Sequence, residues 1–321
     1  MSKFVDSVRS GGSAEEPRAG SRRGCPELGQ RRCDATSGKE GRVSTRSPAH
    51  PTYGVLRPVL EYAAVRLAHN PGPMTLDGTN TWIVGAPGAG ECLVIDPGPA
   101  DAEHLRAVGG HLPVAGILLT HHHPDHTDGL EELAELTGAP VRAVDPGWCT
   151  SPARNVSGGF GSGPLQDGEV VEAAGLELRV LVTPGHTADS MCLHTEHGGV
   201  PALFAGDSLL GRGTTVVMAD DGHLGSYLSS LRRLSELDPG TRLLPGHGPE
   251  APDAREVAEH YLEHRRQRLD QVRTAIGGLE GEVNARRVTD VVYADVDPSV
   301  RPAAESTVLA QLEHLRELGE L

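Results

Sequence analysis

From about residue 50 onward, short apolar runs alternate with polar stretches, a pattern of buried strands set between helices and turns. Ile83–Val84, Leu93 to Ile95, Ile117 to Leu119, Leu178 to Val182, Ala202 to Phe204 and Leu243–Leu244 each predict a strand. Residues 226–237 space Leu228, Leu231, Leu234 and Leu237 at helical intervals, with Ser226 as the expected N-cap. After Pro252 the period is helical throughout. Val257, Tyr261, Leu262, Leu269, Val272 and Ile276 form one apolar face with Arg and Glu opposite, and Gly277 and Gly278 end it. A second helix fits Ala285 to Tyr293, and a third fits Ala303 to Leu318 with Val308, Leu312, Leu315 and Leu318 inward. Residues 1–48 carry too few large apolar side chains to bury a core and predict a disordered leader. Translation starting near Val43 is one explanation for that leader, which the intact mass of the natively expressed protein would test. The expected organisation is a leader at 1–48, a strand-rich domain at 49–250 and a helical module at 251–321.

Candidate chemistry sits where the strands end. Thr120 to Gly129 reads T-H-H-H-P-D-H-T-D-G, in which His121, His123, Asp125 and His126 fit H-x-H-x-D-H. Imidazole nitrogen and carboxylate oxygen are the ligands zinc prefers. Pro124 prevents a single regular helix through the cluster. Three further segments repeat one grammar, an apolar strand, a Gly-containing turn and one ligand-type side chain. T-P-G-H-T places His186, F-A-G-D-S places Asp207 and L-L-P-G-H-G places His247. His122, between two candidate ligands, points away from them if the segment is extended. The remaining histidines lack this context and read as surface or packing residues.

With these motifs in the family's order from about Val59 to Pro249, the chain resembles the metallo-β-lactamase superfamily. The resemblance implies an α/β fold, an αββα sandwich, and two metal ions. His121, His123 and His186 would hold one ion, Asp125, His126 and His247 the other, and Asp207 would bridge them. It further implies a metal-bridging hydroxide as nucleophile, with Asp125 as the catalytic residue that orients it. Two Zn2+ per chain are expected, and iron or manganese suits the same ligands. Antibiotic-hydrolysing members typically place cysteine at the bridging position; Asp207 there matches the glyoxalase II-like and nuclease-like branches instead. The loop N-P-G-P-M-T-L-D-G-T-N-T-W, residues 70–82, looks like the beta-lactamase-like protein 2 branch, where it lies close to the metals. Asn80 is therefore expected to face the substrate; a turn residue that caps the loop is the other reading. Asp96 in V-I-D-P-G is expected to orient neighbours rather than bind metal. The three C-terminal helices resemble the winged-helix module of the same branch.

Composition narrows the function. Aromatics make up only 3% of the chain, so Val, Leu and Ala must fill the core. No apolar run approaches ~18 residues, which argues against a membrane span. The five cysteines, Cys25, Cys33, Cys92, Cys149 and Cys192, are odd in number and show no CxxC spacing, which favours a reducing cytoplasm. Cys192, near His186, reads as a small buried apolar residue. The first 50 residues hold 10 basic and 6 acidic side chains (+4), the remaining 271 hold 19 and 38 (−19). A body this acidic repels polyanions at long range. Both lysines, Lys3 and Lys39, lie in the leader, which removes Schiff-base chemistry from the body. Residues 253–321 carry 9 Arg against 14 Asp and Glu (−5), and the sequence stops three residues past the third helix, leaving no room for a wing. Both features argue against specific DNA binding and for a cap that walls the cleft. The leading expectation is a dinuclear zinc hydrolase of small esters or thioesters. Endonucleolytic cleavage of single-stranded RNA, also known in the branch, is the rival substrate class, and a non-catalytic metal-binding scaffold is the rival of another kind.

Overall fold

The computed structural model describes residues 50–150 and 159–321. The predicted disordered leader at 1–48 and the start near Val43 lie outside the described residues. The first half of the body runs β1 (Leu56–Leu60), β2 (Ala63–Leu67), β3 (Asn80–Val84), β4 (Cys92–Ile95), α1 (Ala102–Gly109), β5 (Val114–Leu118), α2 (Pro124–Thr127), α3 (Leu130–Thr137) and β6 (Val141–Arg142). The second half runs β7 (Val170–Ala173), β8 (Leu176–Val182), β9 (Met191–His197), β10 (Val200–Gly206), α4 (Leu224–Leu234) and β11 (Arg242–Pro245). Then follow α5 (Ala254–Gly278), α6 (Ala285–Val292) and α7 (Arg301–Glu317).

The strands form two mixed sheets, β1-β2-β3-β4-β5-β6 and β11-β10-β9-β8-β7. β4–β5, β5–β6 and β10–β11 pair in parallel and the other neighbours antiparallel. Strict alternation assigns side chains to layers. Leu93 and Ile95 of β4 face the interior between the sheets, where Trp82, Leu178, Val180 and Phe204 meet them. Cys92 and Val94, on the other face, pack under Leu105 of α1 and Leu133 of α3. In the second sheet Phe204 and Leu244 point inward, while Leu203 and Leu243 pack outward against α4, α5 and α7. β4 and β5 are covered on both faces, which is why they read in the sequence as continuous apolar runs, whereas β8 and β9 keep exposed polar residues such as Glu177, Arg179 and Glu196 on one face. The layers are α, β, β, α, with a C-terminal all-α module.

The helix after β10 differs from expectation at its start. It spans Leu224–Leu234, and His223, not Ser226, is its N-cap, its Nδ1 accepting from the Ser226 N–H. An imidazole acceptor does here what a hydroxyl was expected to do. α5 is capped by Asp253 and buries Tyr261, Leu269 and Val272, as the period predicts. It also buries Arg265, which the pattern placed among the outward-facing charges. Among the described residues no strand follows β11.

Candidate metal centre

All the candidate ligands sit at strand ends or in the turn that follows. His121 and His123 lie in the loop after β5. Pro124 takes the first position of α2, where its missing N–H costs no helical bond, and the short turn carries Asp125 and His126. Pro124 therefore breaks the segment by starting a helical turn. Asp207 follows β10 directly, and His186 and His247 occupy the turns after β8 and β11.

These residues, distant in sequence, converge. The ligand atoms of His121, His123 and His186 lie within 4.8 Å of one another, as do those of Asp125, His126 and His247, and those of His121, His126 and Asp207. Nδ1 of His123 is 3.1 Å from Nε2 of His121 and 3.1 Å from Nε2 of His186. Nε2 of His126 is 3.2 Å from Nε2 of His247. Asp207 faces both groups, with Oδ1 3.5 Å from His126 Nε2 and Oδ2 3.4 Å from His247 Nε2 and 3.8 Å from His186 Nε2. Asp125 Oδ2 is 3.0 Å from His247 Nε2.

Each imidazole is held by its other nitrogen. His121 Nδ1 is 3.0 Å from Thr120 Oγ1, His123 Nε2 is 2.7 Å from Asp221 Oδ2, and His126 Nδ1 is 2.8 Å from Asp96 Oδ2. His186 Nδ1 bonds the Val216 carbonyl at 2.8 Å and His247 Nδ1 the Gly78 carbonyl at 3.0 Å. An acceptor on the far nitrogen sets the tautomer and ring angle and leaves a lone pair on the near one. Lone pairs that converge at about 3 Å repel one another unless a cation lies between them. Asp207 Oδ1, buried and without a hydrogen-bond partner, fits the same need. The donor set of imidazole nitrogen and carboxylate oxygen suits zinc, iron or manganese.

Asp96 takes the role expected of it. Its backbone is left-handed at φ +54°, a conformation aspartate tolerates better than most residues. From there Oδ1 accepts from the Thr120 N–H at 2.8 Å, and Oδ2 serves both Thr120 Oγ1 and His126. His122 points away from the ligand groups, 2.8 Å from Asp189 and 3.3 Å from Asp221. Cys192 is fully buried in the core. Asn80, expected to face the substrate, is instead 2% exposed in β3. Its Nδ2 donates to the carbonyls of Pro245 and Gly248 at 3.0 and 2.8 Å, bracing the turn that carries His247. Pairing of β3 with β2 is what buries Asn80.

Pattern reading missed Asp221, Thr79 and the carbonyls of Gly78 and Val216. Thr79 Oγ1 lies 3.3 Å from Asp125 Oδ2 and so fixes that carboxylate. Asp221 and Thr79 lack a strand–turn motif, and a carbonyl has no sequence signature at all.

Burial lowers the pKa of His121 well below the ordinary imidazole range and lowers that of His186. Burial acts in the same direction on His126 and His247, but nearby carboxylates outweigh it. Asp96 and Asp207 raise His126 well above its ordinary value, and Asp207 and Asp125 push His247 up to about 9. The carboxyls are opposed by burial too, yet the imidazoles beside them keep Asp125 at about 2 and Asp207 well below the usual range. Below about pH 9 a cation must therefore displace a proton from His247. Zinc affinity of the metal-free protein is expected to strengthen by about tenfold per proton displaced for each pH unit gained toward that value. Zinc titrations at pH 6, 7 and 8 would check this; an affinity independent of pH would mean the ligands bind no protons.

Two sheets, ligands at the strand ends and paired His/Asp groups define a metal-dependent hydrolase. The chain belongs to the metallo-beta-lactamase superfamily, whose family model matches residues 74–247. A beta-lactamase associated winged helix domain model matches residues 285–320. The chain is 35% identical over 258 residues to the beta-lactamase-like protein 2 homolog of Caenorhabditis elegans, covering 78% of this chain and 82% of that one. It is 29% identical to an atrochrysone carboxyl ACP thioesterase of a Cryptosporiopsis species, covering 79% and 78%. A metallo-beta-lactamase family protein of Thermus thermophilus superposes with a TM-score of 0.64 at 26% identity, covering 81% and 95%. The sandwich, the helical module and the clustered ligands are those of the beta-lactamase-like protein 2 branch.

Proposed function

We propose that the chain is a dinuclear zinc hydrolase acting on small esters or thioesters, with acyl groups on a carrier as the leading case. The reading rests on the two complete ligand groups that share an approach to Asp207. His121, His123 and His186 would hold one ion, Asp125, His126 and His247 the other, and Asp207 both. Bound there, two divalent ions acidify a shared water and offset the charge that grows on an attacked carbonyl or phosphoryl oxygen. Against burial, the imidazoles of His247 and His126 hold the Asp125 carboxyl at about 2, and Thr79 donates to it, so ionised Asp125 would orient the attacking water as an acceptor. By the resemblance, a carboxylate at Asp207, where antibiotic-hydrolysing members typically place cysteine, supports a glyoxalase-like substrate over a β-lactam.

Surface charge supports the small substrate over RNA. The body beyond residue 50 carries 19 basic against 38 acidic side chains, a field that opposes a polyanion. Similarity to a thioesterase points the same way. Among the described residues no helix is long and apolar enough to cross a membrane. Among the described residues Cys92, Cys149 and Cys192 are free.

The test is zinc-loaded protein against an acyl-thioester panel and labelled single-stranded RNA, with Asp125→Ala as control. Thioester turnover that disappears in the control is the expected result. RNA cleavage that disappears in the control, without thioester turnover, would replace the small-substrate reading with an endoribonuclease.

A further inference from the structure

The segment from Asp207 to Val216 supplies two parts of the metal centre, the Asp207 carboxylate and the carbonyl that holds His186. Its anchors come from α4 and α5. Tyr227 Oη donates to the Ser208 carbonyl at 2.8 Å, and the Leu210 N–H donates to Tyr261 Oη at 3.0 Å. The Arg265 guanidinium donates to the carbonyl of Thr215, one residue before the carbonyl that fixes His186. Thr215 Oγ1 in turn donates to the Asp207 carbonyl at 2.7 Å.

Arg265 is an expensive residue to place there. It is 4% exposed, it stacks 5.3 Å from the centroid of the Tyr227 ring, and its Nε has no hydrogen-bond partner. Among the described residues no carboxylate lies within ion-pair distance of it. A buried charge without an opposite charge opposes folding, and an apolar side chain of similar size would pack at least as well. Fold stability therefore does not account for a guanidinium at this point, whereas its bond to the active-site segment does.

We propose that Arg265 is a positioning residue for the metal centre, setting the Thr215–Val216 carbonyls and through them His186 and Asp207. Helix α5 is then a working part of the hydrolase. The inference rests on the dinuclear reading above and is independent of the substrate class.

The experiment titrates full-length, metal-free protein with zinc in competition with a chromophoric chelator, comparing wild type, Arg265→Met and Arg265→Lys, with thermal unfolding of each metal-free protein alongside. Arg265→Met is expected to unfold at an unchanged or higher temperature, yet to bind its weaker zinc about tenfold less tightly. Arg265→Lys should recover most of that loss, because an ammonium can still donate to the Thr215 carbonyl. Where a substrate turns over, kcat should fall in Arg265→Met with KM little changed. Zinc affinity within twofold of wild type in Arg265→Met would overturn the proposal. If that variant does not fold, Tyr261→Phe removes the hydroxyl that accepts from the Leu210 N–H and faces Thr215; weaker zinc binding is expected, and unaltered binding overturns the positioning of the Asp207–Val216 segment by α5. Wild type that binds fewer than two zinc ions would overturn the dinuclear reading itself. Two bound zinc ions without thioester turnover would touch the substrate class alone.

Discussion

Replacement of Asp207 by alanine is expected to lower turnover by at least ~10³-fold, about 4 kcal/mol of barrier, while the fold survives. The carboxylate lies 3.4–3.8 Å from ligand nitrogens of both groups, so its loss withdraws a donor from each at once. It also removes one of the anions that raise His126 and His247, which Asp96 and Asp125 otherwise share. Metal content by mass spectrometry should fall below two ions per chain. Because the ionised Asp207 carboxylate is held by buried imidazoles, the metal-free variant should also lose stability at neutral pH, which urea unfolding would measure separately from turnover. Unchanged turnover in Asp207→Ala would sink the two-metal mechanism.

The second large effect concerns the backbone beneath His186. Gly185 has φ +138°, a region closed to side chains, and a Cβ there would lie 2.3 Å from backbone atoms of Tyr227. Its carbonyl also accepts the His223 N–H at the start of α4. Gly185→Ala must therefore rotate the turn or push α4 away, and neither is a flexible side chain. A loss of roughly 3–5 kcal/mol is expected, from strain plus overpacking. The control is Gly277→Ala in α5, exposed and with nothing within 4 Å of the added carbon. It should stabilise by up to about 1 kcal/mol through helix propensity. Urea unfolding of the two variants measures both. A Gly185→Ala protein as stable as wild type would show that the turn is softer than its contacts imply.

The sequence by itself determined the candidate ligands that the fold brings together and the layers that carry them. His121, His123, Asp125 and His126 are legible because four chemically suited residues fall within six positions. His186, Asp207 and His247 are legible because each follows an apolar run and a glycine-bearing turn. The strands are legible for a related reason: β4 and β10 from Ala202 onward are buried on both faces and read as apolar runs, whereas β8 alternates apolar residues with the exposed Glu177 and Arg179 before its buried end. The long amphipathic helix after Pro252 follows from its period.

Tertiary structure decided what each polar side chain does with its partners. Asn80 sits in a loop-like sequence, but pairing of β2 with β3 buries it, and its amide braces the His247 turn. His223 displaces Ser226 as the cap of α4 because the chain enters the helix one turn earlier than the leucine spacing suggests. Arg265 occupies the inward face of α5 only because α4 and the Thr215 carbonyl lie opposite it. The acceptors that set the imidazoles include Asp221, 98 residues from His123, and the carbonyl of Gly78, 169 residues from His247. Residue type and spacing carry local chemistry, whereas an acceptor supplied by the backbone or by a distant strand end exists only once the sheets have closed on each other.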